Sequence, residues 1–161
     1  MRKILYLHGL ESKQGGQKVN YLCSKYLTLA PSLDYRDPEC FKEIFDIIEK
    51  TKFDLIIGSS MGGYLGFIMG EIFKIKTLLL NPALHSRTFE PKNSYMLDSS
   101  DKYDRIKHQV ILGDKDDIIN YEKTLLYLKN NKVNFNKEII KSMGHRTTYD
   151  VFKNKVDSFE F

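Results

Sequence analysis

The chain has 161 residues, of which 42% are hydrophobic and 29% charged, so we expect one globular domain spanning residues 1–161. The net charge of +4 is spread along the chain, and no nucleic-acid-binding motif accompanies it. No apolar segment is long enough for a signal peptide or a membrane span. Cys23 and Cys40 lack C-x-x-C spacing, which indicates free thiols. We therefore expect a cytoplasmic protein that binds neither nucleic acid nor membrane; its oligomeric state is not indicated.

Apolar runs alternate with helical patterns along the whole chain. Strands are predicted at residues 3–7, 26–30, 55–57, 76–80, 108–112 and 134–140. Helical stripes begin near residues 19, 38, 61, 121 and 149. The boundary at Tyr26 and Leu27 stays open, and the second helix is expected to begin with Asp37 as its cap and Pro38 as its first residue. The alternation predicts an α/β fold with a parallel sheet of about six strands and helices on both faces.

Residues 58–62 (GSSMG) match the pattern G-x-S-x-G, with Ser60 at its centre. A predicted strand precedes this segment and a helix follows it, which is the context of a nucleophile elbow. We expect side chains at positions 58 and 62 to collide with neighbouring elements, and the turn to strain the backbone of Ser60. A phosphate loop is disfavoured because the G-K-[ST] ending is absent.

Further polar residues follow the other predicted strands. They are His8, Asn81, Asp114, Asp116, Asp117 and His145. Parallel strands joined by right-handed crossovers bring all these positions to one edge of the sheet. A serine nucleophile needs a base that is itself oriented by an acid, and the chain order Ser, Asp, His is that of the α/β-hydrolases.

The chain resembles the α/β-hydrolase superfamily, and specifically the small YqiA-type esterases of bacteria. The matching segments are 6–12 (YLHGLES), 58–64 (GSSMGGY), 81–83 (NPA), 113–121 and 144–145 (GH). The resemblance implies a minimal α/β-hydrolase fold without the usual first two strands and without a large cap domain. The chain has His8-Gly9 where the family has Gln-Gly, and residues 84–107 are short where relatives carry a cap.

The resemblance implies a catalytic triad. Ser60 is the expected nucleophile and His145 the expected base. The superfamily pattern G-x-x-D-x-x-[VI] aligns Gly113, Asp116 and Ile119, which favours Asp116 as the acid. Asp114 remains the alternative, because a shorter acid loop would use it.

The surroundings of the triad are predicted less directly. The backbone N–H groups of Leu10 and Met61 are expected to bind the oxyanion. Candidate pocket residues are His8, Tyr64, His85 and Tyr95. His108 is expected to be exposed at a strand start, and Arg146 to be a solvated surface residue rather than an anion ligand. No cluster has metal-ligand spacing, so neither a metal nor a cofactor is expected.

The function expected from this pattern is that of a serine hydrolase, a carboxylesterase that cleaves small esters through an acyl-enzyme intermediate. Its partner would be a small-molecule ester or thioester. An acyl thioesterase and a non-catalytic hydrolase-like binding protein remain as alternatives.

Overall fold

The computed structural model of the protein describes residues 1–10, 12, 15–88, 90 and 106–161. Strands and helices alternate through these residues. The strands are β1 (Lys3–Leu7), β2 (Leu27–Leu29), β3 (Leu55–Ser59), β4 (Thr77–Leu80), β5 (His108–Gly113) and β6 (Phe135–Ile140). The helices are α1 (Gln17–Lys25), α2 (Cys40–Lys50), α3 (Met61–Phe73), α4 (Tyr121–Asn130) and α5 (Tyr149–Asp157). No helix in the described ranges is long and apolar enough to cross a membrane.

The six strands form one parallel sheet in the order β2-β1-β3-β4-β5-β6. The chain runs outward from β1 to β2, crosses back to β3 and then proceeds strand by strand to β6. The direction reverses between β1 and β3, and in open α/β sheets ligands bind at the carboxyl ends of the strands beside such a point. Ser60 follows β3 directly. The predicted fold class, a parallel sheet of about six strands, is confirmed.

Helices cover both faces of the sheet, as predicted. Residues of α2, α3 and α4, including Phe41, Phe67 and Leu128, form a core cluster on one face. Residues of α1 and α5, including Leu22 and Phe152, form the cluster on the other. The inner strands β1, β3 and β4 are therefore buried between two layers of helices and are apolar on both faces. Each fully buried Leu or Ile contributes roughly 1.5–3 kcal/mol to the stability of the fold.

Two predicted boundaries are resolved by backbone hydrogen bonds. The Tyr26 amide donates to Leu22 O at 2.8 Å, and the extended backbone of Tyr26 ends α1 and leads into β2. The predicted start of α2 is wrong, because the helix begins at Cys40 with Glu39 as its cap. The Asp37 carboxylate instead accepts the Glu39 amide at 2.9 Å, which closes a turn ahead of the helix.

The prediction that His108 is exposed is also wrong. This residue is fully buried at the start of β5, where its Nε2 lies 2.6 Å from Glu71 Oε1 of α3. Its Nδ1 lies 2.7 Å from the hydroxyl of Thr77, on the neighbouring strand β4. Because α3 covers this end of β5, a residue at the strand start faces the helix rather than solvent. Glu71 Oε2 has no hydrogen-bond partner among the described residues.

Candidate active site

Ser60 occupies a strained turn between β3 and α3. Its φ of 54° and ψ of −116° lie in a region that non-glycine residues seldom adopt. The Ser60 amide donates to Leu80 O at 3.0 Å, and the Ser60 carbonyl accepts from the Ala83 amide at 3.0 Å. The end of β4 and the loop after it therefore hold the serine in this conformation.

Gly58 and Gly62 of the elbow have no room for a side chain. A Cβ added to Gly58 would lie 2.2 Å from Gly62 O, and one added to Gly62 would lie 2.2 Å from Leu7 O. Both distances are far below van der Waals contact with rigid backbone atoms. The expected collision at these two positions is confirmed, and its partners are the first turn of α3 and the end of β1.

His145 joins Ser60 to a carboxylate. Its Nε2 lies 3.0 Å from Ser60 Oγ, and its Nδ1 lies 2.8 Å from Asp116 Oδ2. The imidazole is 18% exposed and the Asp116 side chain is fully buried. With Nδ1–H donating to the carboxylate, Nε2 can accept the proton of the serine hydroxyl, which is the arrangement of a base beside a nucleophile.

The two candidate acids make different contacts. Asp116 uses Oδ1 to accept the amides of Ile118 and Ile119 at 2.9 and 2.7 Å, so Oδ2 is directed to the histidine. Asp114 instead accepts the Ser142 amide at 2.6 Å and fixes the turn after β6. Asp117 is exposed. Of the three aspartates, the geometry therefore brings Asp116 to the imidazole.

Asn81 is a site residue whose role sequence reasoning missed. Its side-chain amide donates to the carbonyls of Gly144 and His145 at 3.1 and 2.8 Å, and its Oδ1 accepts the Gly113 amide at 2.8 Å. The residue is buried and its φ is 42°. It therefore ties the ends of β4 and β5 to the loop that carries the histidine. The family resemblance in segment 81–83 marks the position, but the role depends on contacts between distant parts of the chain.

The loop after β1 packs against the serine. A Cβ placed on Gly9 would lie only 3.4 Å from Ser60 Cβ, so the backbone just before Leu10 lies close to the elbow. Met61 is the first residue of α3. Neither Leu10 N–H nor Met61 N–H donates a backbone hydrogen bond to a described residue. The role of these two amides as oxyanion donors stays a prediction.

His8 is buried, and backbone groups bind both of its ring nitrogens. It is 4% exposed, its Nδ1 donates to Gly9 O at 2.7 Å, and its Nε2 accepts the Leu33 amide at 3.0 Å. These bonds fix the loop that carries Leu10. The assignment of His8 to the substrate pocket stays a prediction.

Two further pocket candidates, His85 and Tyr64, lie on the loop after β4 and on α3. The Arg87 guanidinium stacks 3.9 Å above the ring of Tyr64, which is 7% exposed. His85 Nδ1 lies 3.1 Å from Thr124 Oγ1. The pKa of His85 is lowered by burial and then by nearby Lys123 and Arg87, against the opposing effect of the Asp116 carboxylate. Tyr95 lies outside the described residues.

The described residues contain no group of three or more His, Cys, Asp or Glu side chains placed to hold a metal ion. Cavities of about 390 and 440 Å³ open at the opposite edge of the sheet. The first is lined by residues such as Arg2 and Phe53, and the second by Lys107 and Asn136. Arg2, Phe53 and Lys107 precede strands and Asn136 is the second residue of β6, whereas Ser60 follows a strand.

The architecture is the α/β-hydrolase fold. Est1E of Butyrivibrio proteoclasticus with bound ferulic acid is 18% identical at a TM-score of 0.70, covering 97% of this chain and 86% of that one. SOBER1 of Arabidopsis thaliana is 17% identical at 0.68, covering 95% and 94%. A putative α/β-superfamily hydrolase of Xanthomonas campestris pv. campestris is 15% identical at 0.67, covering 98% of each chain. These likenesses establish the fold.

Residues 3–96 match the model of one family, described as "Uncharacterised protein family (UPF0227)". This match covers more than half of the chain, and the chain therefore belongs to UPF0227, the YqiA-like family. The resemblance drawn from the sequence motifs is confirmed. No curated protein matches the chain in a sequence search.

Proposed function

We propose that the protein is a serine carboxylesterase. The observation that carries the proposal is the hydrogen-bonded row from Asp116 through His145 to the strained Ser60. A strained serine with its hydroxyl on an imidazole nitrogen is suited to attack a carbonyl carbon. A protein that only binds ligands has no need of a strained serine whose hydroxyl lies on a partly exposed imidazole backed by a carboxylate.

The proposed reaction has two halves. Ser60 Oγ attacks the ester carbonyl while His145 Nε2 takes its proton, and the N–H groups of Leu10 and Met61 stabilise the oxyanion. His145 then donates the proton to the departing alcohol, which leaves an acyl-serine. Water activated by the same nitrogen hydrolyses this intermediate. Asp116 fixes the tautomer and stabilises the imidazolium throughout.

Ester chemistry is favoured by the proteins that share the fold. Est1E was determined with ferulic acid, a carboxylic acid, and another neighbour is esterase PE8, which is 14% identical at a TM-score of 0.65. We extend this chemistry to the present chain because Ser60, His145 and Asp116 supply the nucleophile, base and acid that acyl transfer requires. A thioesterase, which would use the same row, is the second candidate.

A fluorophosphonate probe tests the proposal together with hydrolysis of 4-nitrophenyl acetate. We expect labelling of the wild-type protein and of Ser59→Ala, and no labelling of Ser60→Ala. Ser59 is the matched control because it is the adjacent serine at the end of β3. Folded wild-type protein that neither reacts with the probe nor hydrolyses the ester would favour a binding protein.

The length of the acyl group is a separate prediction. We expect acetyl to butyryl aryl esters to be the best surrogate substrates, because residues 84–107 offer too little chain for a deep closed acyl site. Activity should fall beyond about eight acyl carbons. The measurement is kcat/KM along a 4-nitrophenyl ester series. A steady rise to sixteen carbons would contradict an open site and favour long-chain thioesters as substrates.

A further inference from the structure

Two cations lie beside the candidate active site on two different elements. Arg146 directly follows His145 and is exposed. Lys18, near the start of α1, reaches the same turn and donates from Nζ to Thr147 O at 2.5 Å. Its ammonium also lies 5.5 Å from the centre of the Phe152 ring. Two positive charges therefore lie at the turn after His145: the Lys18 ammonium, which is bonded to Thr147 O, and the exposed Arg146 guanidinium.

Neither charge is neutralised by the part of the protein that the structure describes. Lys18 and Arg146 form no salt bridge with a described residue. The pKa of Lys18 is lowered by burial and then by the nearby Arg146. A half-buried ammonium beside a second cation costs free energy in the empty protein, and a bound anion would remove that cost.

Arg87, on the other side of the elbow, provides a contrast. Its guanidinium is 13% exposed and binds Glu90 as well as the carbonyls of Ala83 and Leu84. Internal acceptors thus satisfy Arg87, which stabilises the loop. Among the described residues, the Lys18 and Arg146 pair has one acceptor, the Thr147 carbonyl, and that oxygen carries no full charge. Thr147 Oγ1 also lacks a described partner, but it is buried and adds nothing for a ligand.

The mechanism determines which part of a substrate lies near this pair. His145 Nε2 must reach the oxygen of the departing alcohol in order to protonate it. Arg146 follows this histidine directly in the chain and is exposed at the surface. We propose that Lys18 and Arg146 recognise an anionic group, a carboxylate or a phosphate, on the alcohol part of the substrate. This inference rests on the proposed esterase function and adds a substrate class to it.

The test compares acetyl esters of phenols whose para substituents differ in charge, and each kcat/KM is first divided by the rate constant for hydroxide-catalysed hydrolysis of the same ester, because the substituents also change the reactivity of the leaving group. 4-Acetoxybenzoate is anionic, 4-acetoxybenzamide is its neutral counterpart, and 4-acetoxybenzyl phosphate supplies the phosphate. The quantity measured is the ratio of kcat/KM for each anionic ester to kcat/KM for the amide. We expect a wild-type ratio of about 3–10, the size expected of partly exposed ion pairs, and a lower ratio at high salt. The larger of the two anionic ratios identifies the preferred anion.

Arg146→Gln and Lys18→Gln should each reduce this ratio, and the double variant should bring it to about one. Lys50→Gln is the control, because it removes one exposed positive charge from the last turn of α2, away from the histidine loop. It should leave the ratio unchanged. The rate of fluorophosphonate labelling at Ser60 checks that each variant is folded.

If the wild-type protein hydrolyses the acetyl ester 4-acetoxybenzamide and the ratio of anionic to neutral kcat/KM is one, this inference is overturned and the esterase proposal stays intact. An equal reduction of the ratio in Lys50→Gln would also overturn it, because net charge alone would then explain the preference. Absence of hydrolysis of all three esters, without labelling of Ser60, would overturn the esterase proposal itself.

Discussion

The protein contains two rows of the same three chemical groups, a hydroxyl, an imidazole and a carboxylate. The site row is Ser60, His145 and Asp116, and the core row is Thr77, His108 and Glu71. The distances are 3.0 and 2.8 Å in the site row and 2.7 and 2.6 Å in the core row. Hydrogen-bond geometry alone does not separate a candidate triad from a structural network.

Access and backbone conformation do separate the two rows. The site imidazole is 18% exposed, whereas the core imidazole is completely buried. The site hydroxyl belongs to a strained residue at the carboxyl end of a strand, while the core hydroxyl belongs to the first residue of β4. Both oxygens of the site carboxylate are bonded, but Glu71 Oε2 has no described partner. These differences favour the site row as the reactive one in the proposed mechanism, whereas the core row joins α3 to β5.

Replacing the imidazoles should have opposite consequences. His145→Ala should lower kcat by about 10⁴-fold or more, because it removes the imidazole that lies on the serine hydroxyl, and it should cost about 1 kcal/mol of stability. His108→Leu should lower the free energy of unfolding by about 3–5 kcal/mol, because Glu71 stays buried without its partner. Ester hydrolysis and urea denaturation measure the two quantities.

The contrast between the site row and the core row is wrong if His145→Ala mainly loses stability and His108→Leu mainly loses kcat. Assays of His108→Leu should be run well below its unfolding midpoint, so that the rate refers to folded protein. A loss of kcat in that folded variant comparable to the loss in His145→Ala would mean that the core row takes part in the reaction.

The carboxylates provide the next largest effect. Asp116→Asn should lower kcat by about 10³–10⁴-fold, because an amide no longer holds the required imidazole tautomer. Asp114→Asn is the matched control on the same loop, and its rate should stay within about threefold, since its carboxylate binds only the Ser142 amide. Steady-state kinetics on one short ester decides between them. The reverse ranking would make Asp114 the acid.

Replacing the whole core row with apolar groups should sharpen the contrast. We expect Thr77→Val, His108→Leu and Glu71→Met together to recover most of the stability lost in His108→Leu alone. A buried polar network replaced by residues of similar volume is often neutral or more stable, by about 1–4 kcal/mol. Urea midpoints of the two variants test this. A triple variant no more stable than His108→Leu would show that packing, rather than the unpaired carboxylate, causes the loss.

Asn81→Ala should give the smallest effect. We expect kcat to fall by about tenfold with a smaller change in KM, because the His145 loop loses two hydrogen bonds and the base is less well placed. Asn131→Ala is a control, because its side chain also donates to a backbone carbonyl, at the exposed end of α4. Labelling of Ser60 should slow in Asn81→Ala only. Equal rates in both variants would remove Asn81 from the positioning of the base.

The sequence predicts the site row because each of its members follows a strand. Apolar runs locate the strands, and in a parallel sheet all of these positions meet at one edge. The core row was missed because Thr77 and His108 begin strands and Glu71 lies inside α3, so neither a motif nor a shared carboxyl edge of the sheet predicts that they meet. A histidine at a strand start looks exposed by periodicity, and only the position of α3 over β5 shows that it is buried. The role of Asn81 was missed because it depends on contacts between distant parts of the chain.

The positions of Ser60 and His145 in the sheet bear on how the protein folds. Ser60 follows the inner strand β3, His145 follows the edge strand β6, and 85 residues separate them. Contacts between distant segments form slowly, because the intervening chain must first lose entropy on closing the loop. A refolding molecule can react with a serine-directed probe only after its last strand has docked. The return of labelling during refolding therefore reports completion of the sheet, whereas circular dichroism also registers helices that form earlier.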